Sequence, residues 1–237
     1  MIQNTNTFTF GGIHSADYGV WISGTGTFDS PERDVEKVVI PGRNGALTRD
    51  NGRFDNVELK YPAFISREFQ PRFDDFRAAL LSKRGYQRLE DTYHPNEFRL
   101  AMFTGPLEPK TGIWNRTGKF DIEFDCKPQR FLTVGEQAVT LEADGTLFNP
   151  TGFDALPLIR AYGTGTLTVN GYTVTVNYAN GYTDIDCDLQ DAFRGVENCN
   201  PYIEVTDYEY PVLSPGSNAV TFTGFTRVEI TPRWWTV

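Results

Sequence analysis

Short runs rich in Thr, Val, Ile, Phe and Tyr alternate with Gly, Asn and Pro almost throughout the chain, a rhythm that predicts a mainly β protein. In the first half, strands are expected over 8–10, 35–40, 57–64 and 119–125. The last is the clearest. Phe120, Ile122 and Phe124 fall on one face and Asp121, Glu123 and Asp125 on the other, as in an antiparallel strand with one face buried. One stretch breaks the period of two: Phe69, Phe73, Phe76 and Leu80 repeat at spacings of four, three and four, and a helix is predicted over 71–84. Pro71 suits its first turn, Asp74 and Asp75 lie early where the helix dipole favours anions, and Lys83, Arg84 and Gly85 supply a cationic and glycine stop.

Between 131 and 140 the aromatic-rich pattern relaxes, which places a boundary between a first domain over 1–133 and a second over 134–237. A chain of 237 residues is long enough for two cores. Residues 164–178 alternate around Asn170-Gly171, the strongest short hairpin signal, with Leu167 and Val169 before it and Val174 and Val176 after. Further strands are expected over 202–205, 219–222 and 226–231. The expected architecture is an N-terminal β-rich domain with one α-helix, followed by a C-terminal β-sandwich of jelly-roll or galectin-like type.

Composition narrows the function classes. Lys and Arg total 22 against 31 Asp and Glu, a formal charge of −9, which disfavours unspecific affinity for nucleic acid. No apolar run approaches the roughly 18 to 20 residues of a membrane span, so a soluble protein with no membrane partner is expected. Residues 1–6 lack the basic and apolar regions of a secretory signal. Cys126, Cys187 and Cys199 form no Cys-x-x-Cys clamp and are expected as reduced, buried thiols, although Cys187 and Cys199 could meet if their strands were adjacent.

Candidate chemistry is sparse. His14 and His94 each stand alone in a turn-like context, without a metal ligand at useful spacing, and no Gly-x-Ser-x-Gly elbow marks a nucleophile. Asp184, Asp186 and Asp188 imitate the start of a calcium loop, but Leu189 stands where that loop needs Gly and Gly195 where it needs Glu. They read instead as the solvated face of a strand. Paired carboxylates for glycoside hydrolysis have only a spatial signature, about 5 to 10 Å apart, and nothing in the spacing points to them. No enzyme activity, metal or cofactor is expected. Tyr172, Tyr178, Tyr182, Trp234 and Trp235 are the candidates for a sugar-stacking platform, with core or interface roles as the plainer account.

Three stretches together resemble the distal tail (Dit) protein family of long-tailed bacteriophages. The first is Phe8-Thr-Phe-Gly-Gly-Ile13-His-Ser-Ala-Asp17-Tyr-Gly-Val20, in which a strand turns through a Gly pair and an Asp-Tyr-Gly toward a second strand. The second is Val38-Val-Ile-Pro41-Gly-Arg43-Asn-Gly45, a Pro-Gly-x-x-Gly turn in which Gly42 and Gly45 can take positive φ. The third runs from Asn200-Pro-Tyr202 through Tyr210-Pro-Val-Leu213-Ser-Pro215-Gly216-Ser-Asn218 to Pro232-Arg233-Trp234-Trp235, and resembles the family's C-terminal galectin-like domain with its Arg-Trp-Trp ending.

The resemblance implies a virion structural protein of the tail tip, assembled in the host bacterial cytoplasm. Its N-terminal domain would form a ring, usually of six copies, with the sandwich at the periphery, joining the tail tube to the baseplate or tail fibre hub. Implied partners are further copies of the chain, the major tail tube protein above, a tail-associated lysin or tail fibre hub protein below and, in some phages, a receptor-binding protein at the side. An acidic lumen would repel passing DNA, in keeping with the charge of −9. Arg43, Arg49 and Arg53 could face acidic surface on an adjacent subunit, or simply form a solvated basic loop. The rival reading is a carbohydrate-binding module contacting host cell-wall polysaccharide through Trp234 and Trp235. Burial of those two rings, with Arg233 stacked on or paired near them, is the expectation.

Overall fold

A computed structural model of the chain describes residues 6–23, 28–177 and 180–237, in two compact units: Met1–Arg130 with Val237, and Phe131–Thr236. The first unit contains β1 (Phe8–Phe10), β2 (Ile13–His14), β3 (Val20–Ile22), β4 (Arg33–Val39), β5 (Ala46–Phe54), β6 (Val57–Ile65), α1 (Phe69–Ser82), β7 (Gln87–Asp91), β8 (Glu97–Met102), β9 (Lys110–Thr111) and most of β10 (Gly118–Leu132). Eight of these belong to one sheet: seven run in the order β2-β1-β7-β8-β10-β6-β3, and β9 pairs with the start of β10. Its central register sets Phe120 opposite Ala63, Ile122 opposite Tyr61 and Phe124 opposite Leu59. All six face the core, while Glu58, Lys60, Asp121 and Glu123 face out. At the opening motif, Gly11, Gly12 and Gly19 all take positive φ, so the chain reverses from β1 into β2 and again before β3. His14, expected in a turn, lies in β2.

Helix α1 covers this core with the predicted stripe. Phe69, Phe73, Phe76 and Leu80 are all buried, and the Phe73 ring meets Phe120 edge-on at 5.0 Å. The helix starts two residues before the predicted bound and ends two before the other. Phe69 already belongs to the stripe, and its burial against Phe120 extends the helix back to Glu68, which caps it in the left-handed region at φ 52. Asp74 and Asp75 therefore lie beyond the first turn, and Lys83 is already extended.

The second unit contains β11 (Val139–Leu141), β12 (Gly145–Asn149), β13 (Leu158–Val169), β14 (Tyr172–Val176), β15 (Tyr182–Asp186), β16 (Asp191–Arg194), β17 (Glu197–Asn198), β18 (Ile203–Val205), β19 (Gly216–Thr231) and β20 (Trp235–Thr236). Two long strands organise it. One half of the β13/β19 pair continues into β15 and β11, the other into β14 and β12. Residues from both halves share one core, including Ile159, Ile185 and Val228 from the first and Leu167, Val174 and Val220 from the second. A sandwich results because the long strands bend from one layer into the other, as strands do at corners. The bend lies at a register break around Gly163 and Gly165, where Gly224 takes φ 84 and a Cβ on Gly165 would collide with the Thr223 carbonyl oxygen. The strands expected over 219–222 and 226–231 are thus one continuous β19, since Gly224 bends it without ending it. The Asn170-Gly171 hairpin forms with both residues at positive φ, at 50 and 94.

Candidate functional site

Two features outside the cores carry the candidate residues. The first is the β4–β5 hairpin, which forms a two-stranded sheet of its own. No residue of either strand is buried. Val38 pairs with Leu47 and Val39 with Ala46, yet Val38, Val39, Ile40 and Leu47 are all exposed, Val39 to 76%. Among the described residues neither outer edge of this ribbon pairs with another strand. Such a ribbon is at best marginally stable alone in water, and its unpaired edges are templates for association.

Its charges are organised along its length. Near the base Arg33 meets Asp50 at 3.1 Å, and Arg53 Nε donates to Asp34 at 2.6 Å. The hydrogen bonds from Arg53 and Asn51 hold the Asp34 carboxyl below its ordinary range. Toward the tip, Lys37, Arg43 and Arg49 occur without any carboxylate between them in sequence. The whole ribbon has five cationic and three acidic side chains, a net of +2, so the rest of the chain carries −11 against a total of −9. Arg43 stands in the turn between positive-φ Gly42 and Gly45, Arg49 lies opposite Glu36, and Arg53 is tied to Asp34. The hairpin thus gathers Arg43, Arg49 and Arg53 but holds only Arg53 in an internal ion pair.

The second feature corrects the reading of the aspartates. Asp184 and Asp186 share a face of β15, but that face is not solvated: both residues are 4% exposed. Asp184 accepts Nε and Nη2 of Arg160 at 2.7 and 2.9 Å, and Asp186 accepts Nη1 and Nη2 of Arg233 at 2.8 Å each. Asp188 lies past the strand end and is exposed. Burial pushes the Asp186 carboxyl up, but the hydrogen bonds from Arg233 and the Leu189 and Asp188 backbone outweigh it and hold it below the usual range. Arg160 lies opposite Asp184 across β13 and β15, a register that local spacing could not reveal.

The tryptophans beside Arg233 are built into the fold. Trp234 is buried, while Trp235 stacks on Phe153 with centroids 4.5 Å apart and donates its Nε1–H to the Asp154 carbonyl at 2.8 Å. Tyr182 lies beneath the Arg160 guanidinium at 4.3 Å. Tyr172 is half-buried on β14, and Tyr178 lies outside the described residues. These rings do not assemble into one open platform. His14 Nδ1 lies 3.1 Å from Thr9 Oγ1, and His94 is held by Asp91. Among the described residues no three His, Cys, Asp or Glu side chains converge on a metal position. The cysteines are free and buried, and burial pushes the Cys126 and Cys187 thiols up to about 12.

No protein-family model and no curated protein matches the sequence. Solved structures do match. The SPP1 Dit protein, described as a paradigm of the hub adsorption apparatus in phages infecting Gram-positive bacteria, matches with a TM-score of 0.78 at 14% identity, over 99% of this chain and 100% of that one. Two structures of the phage p2 baseplate in its activated conformation, one with Sr and one with Ca, match with TM-scores of 0.56 and 0.55, each at 11% identity over 95% of this chain and 96% of theirs. The likeness is one of fold, and it spans both units. It meets the family to which the sequence motifs point.

Proposed function

We propose that this chain is a structural subunit of a phage tail-tip hub, and that it assembles with copies of itself into a ring joining the tail tube to the baseplate or tail fibre hub. The observation that carries this reading is the fold shared with the SPP1 Dit protein over the whole chain. The hairpin supports the assembly step. A cationic ribbon with exposed Val and Leu, on a chain otherwise at −11, suits an acidic surface on the next copy. A contact of unlike surfaces around a rotation axis closes into a ring.

In this reading residues 1–133 build the ring, with six copies expected, and 134–237 form the peripheral sandwich. Arg43, Arg49 and Arg53 contact the neighbour. The tail tube protein binds above, a tail-associated lysin or fibre hub protein binds below, a receptor-binding protein docks at the side, and the protein resides in the virion tail tip. Its work is mechanical rather than catalytic. The carbohydrate reading asks for open ring faces, and the burial of Trp234 weighs against it.

The test is the native mass of the purified full chain by light scattering, with negative-stain imaging of the eluted species. A ring of about six copies of the 26.8 kDa chain is expected. A monomer at every concentration, alone and with the tail tube protein, would overturn the reading.

A further inference from the structure

In the first unit a cavity of about 10 Å³ is walled by Tyr61, Leu89, Asp91, His94, Glu97 and Arg99. Arg99 is 6% exposed, and no protein group accepts a hydrogen bond from its Nη1 or Nη2. The buried Nε2 of His94 likewise meets no protein partner. The carboxylates nearby are engaged elsewhere. Asp91 Oδ2 accepts the Tyr61 hydroxyl at 2.6 Å, and Oδ1 accepts the His94 backbone N–H at 2.8 Å and lies 3.2 Å from its ring Nδ1. Glu97 accepts from Arg130 at 2.7 Å.

A buried guanidinium without acceptors is among the costliest arrangements a core can hold, so such groups point to a bound species. We infer that this cavity is a binding site for one water molecule, which accepts a hydrogen bond from Arg99 and donates one to Nε2 of His94. The volume is that of roughly one water-sized sphere, too small for a hydrated ion or an organic ligand. The carboxylates of Asp91 and Glu97 in its wall disfavour an anion. Asp91 sets the tautomer: its Oδ1, 3.2 Å from Nδ1, can only accept, so the ring proton sits on Nδ1 and Nε2 presents the lone pair to which the water donates. His94 then joins the turn after β7 to Arg99 on β8 through one bridging molecule.

The chain has two histidines, so His14→Gln leaves His94 alone in a ¹⁵N spectrum of the full-length protein. The tautomer in which Nδ1 faces Asp91 gives the signals of an unprotonated Nε2 and a protonated Nδ1. In parallel, a high-resolution crystal structure should show one density peak within hydrogen-bond reach of both Arg99 and His94, and no anomalous peak there after bromide soaking. A protonated Nε2, a cavity without density, or a bromide peak would each overturn the inference. Arg99→Met, compared by the same spectrum, should keep the ring proton on Nδ1, where Asp91 still accepts it, but shift the Nε2 signal as the bridging water is lost. An unchanged spectrum in that variant would count against the bridge.

Discussion

Replacing Arg233 with Ala is expected to destabilise the second unit by about 2–3 kcal/mol. Breaking a fully buried ion pair costs about 3–5 kcal/mol, because the surviving charge stays in a low-dielectric interior. Asp186 is such a charge, since it is 4% exposed and both its oxygens are taken by Arg233. Two features reduce the loss. The Arg233 side chain keeps 30% of its surface, so its own desolvation is incomplete. Asp186 Oδ1 also accepts the backbone N–H groups of Asp188 and Leu189 at 3.0 and 3.2 Å, which remain in the variant. The left-handed backbone at position 233, φ 58, strains Ala about as much as Arg and adds little to the difference.

Urea unfolding followed by tryptophan fluorescence reads the change, fitted with separate transitions for the two units. Asp186→Asn removes the charge that Arg233 neutralises, so the double variant should lose less than the sum of the singles, with a coupling of at least about 1 kcal/mol. The pH dependence carries an independent sign. A carboxyl whose pKa is lowered on folding stabilises above its unfolded value, about 3.9, and loses that contribution as pH falls through the folded value. The gap between wild type and Arg233→Ala should therefore narrow as pH drops below about 4. A loss under about 0.5 kcal/mol at neutral pH, the scale of an ordinary surface pair, or a gap that widens in acid, would refute the reasoning.

Gly165→Ala should cost about 1–3 kcal/mol by forcing β13 away from the Thr223 carbonyl; thermal unfolding checks this against Gly152→Ala, whose new methyl meets nothing within 4 Å. Val38→Ser combined with Leu47→Ser should leave the unfolding midpoint of the isolated chain within about 0.5 kcal/mol, because both side chains are exposed. The same pair should weaken self-association at least about tenfold in sedimentation, equivalent to about 1.4 kcal/mol, and unchanged association would remove the hairpin from the interface. Native protein at pH 8 should react with a thiol reagent far more slowly than unfolded protein, since burial raises the thiol pKa of Cys126, Cys187 and Cys199.

The elements legible in sequence were those whose pattern has a local cause. The stripe of α1, the alternation in β10 and the Asn170-Gly171 turn each follow from residues within a few positions of one another. What stayed illegible was set by partners distant in sequence. Alternation puts Asp184 and Asp186 on one face, but Arg160 reaches it through the pairing of β13 with β15, and Arg233 through a segment 47 positions on. Gly224 reads locally as a strand breaker, yet it serves a bend within one strand because Gly165 approaches it from β13.

Strand β8 shows the same limit in its sharpest form. Its sequence alternates as though Phe98, Leu100 and Met102 should face the core, yet Arg99, Ala101 and the following Phe103 are the buried positions. The strand is inside out relative to its hydrophobicity. Local and global preferences conflict mainly where a surface or a buried group does more than stabilise, and both are found here. The inward side brings Arg99 to the cavity beside His94, and the outward side gives the sheet a half-buried apolar row. That outward row is itself partly covered, since the Arg88 guanidinium lies 3.7 Å from the centroid of the Phe98 ring, so the reversal turns apolar surface toward a neighbouring side chain of the same sheet rather than into open solvent.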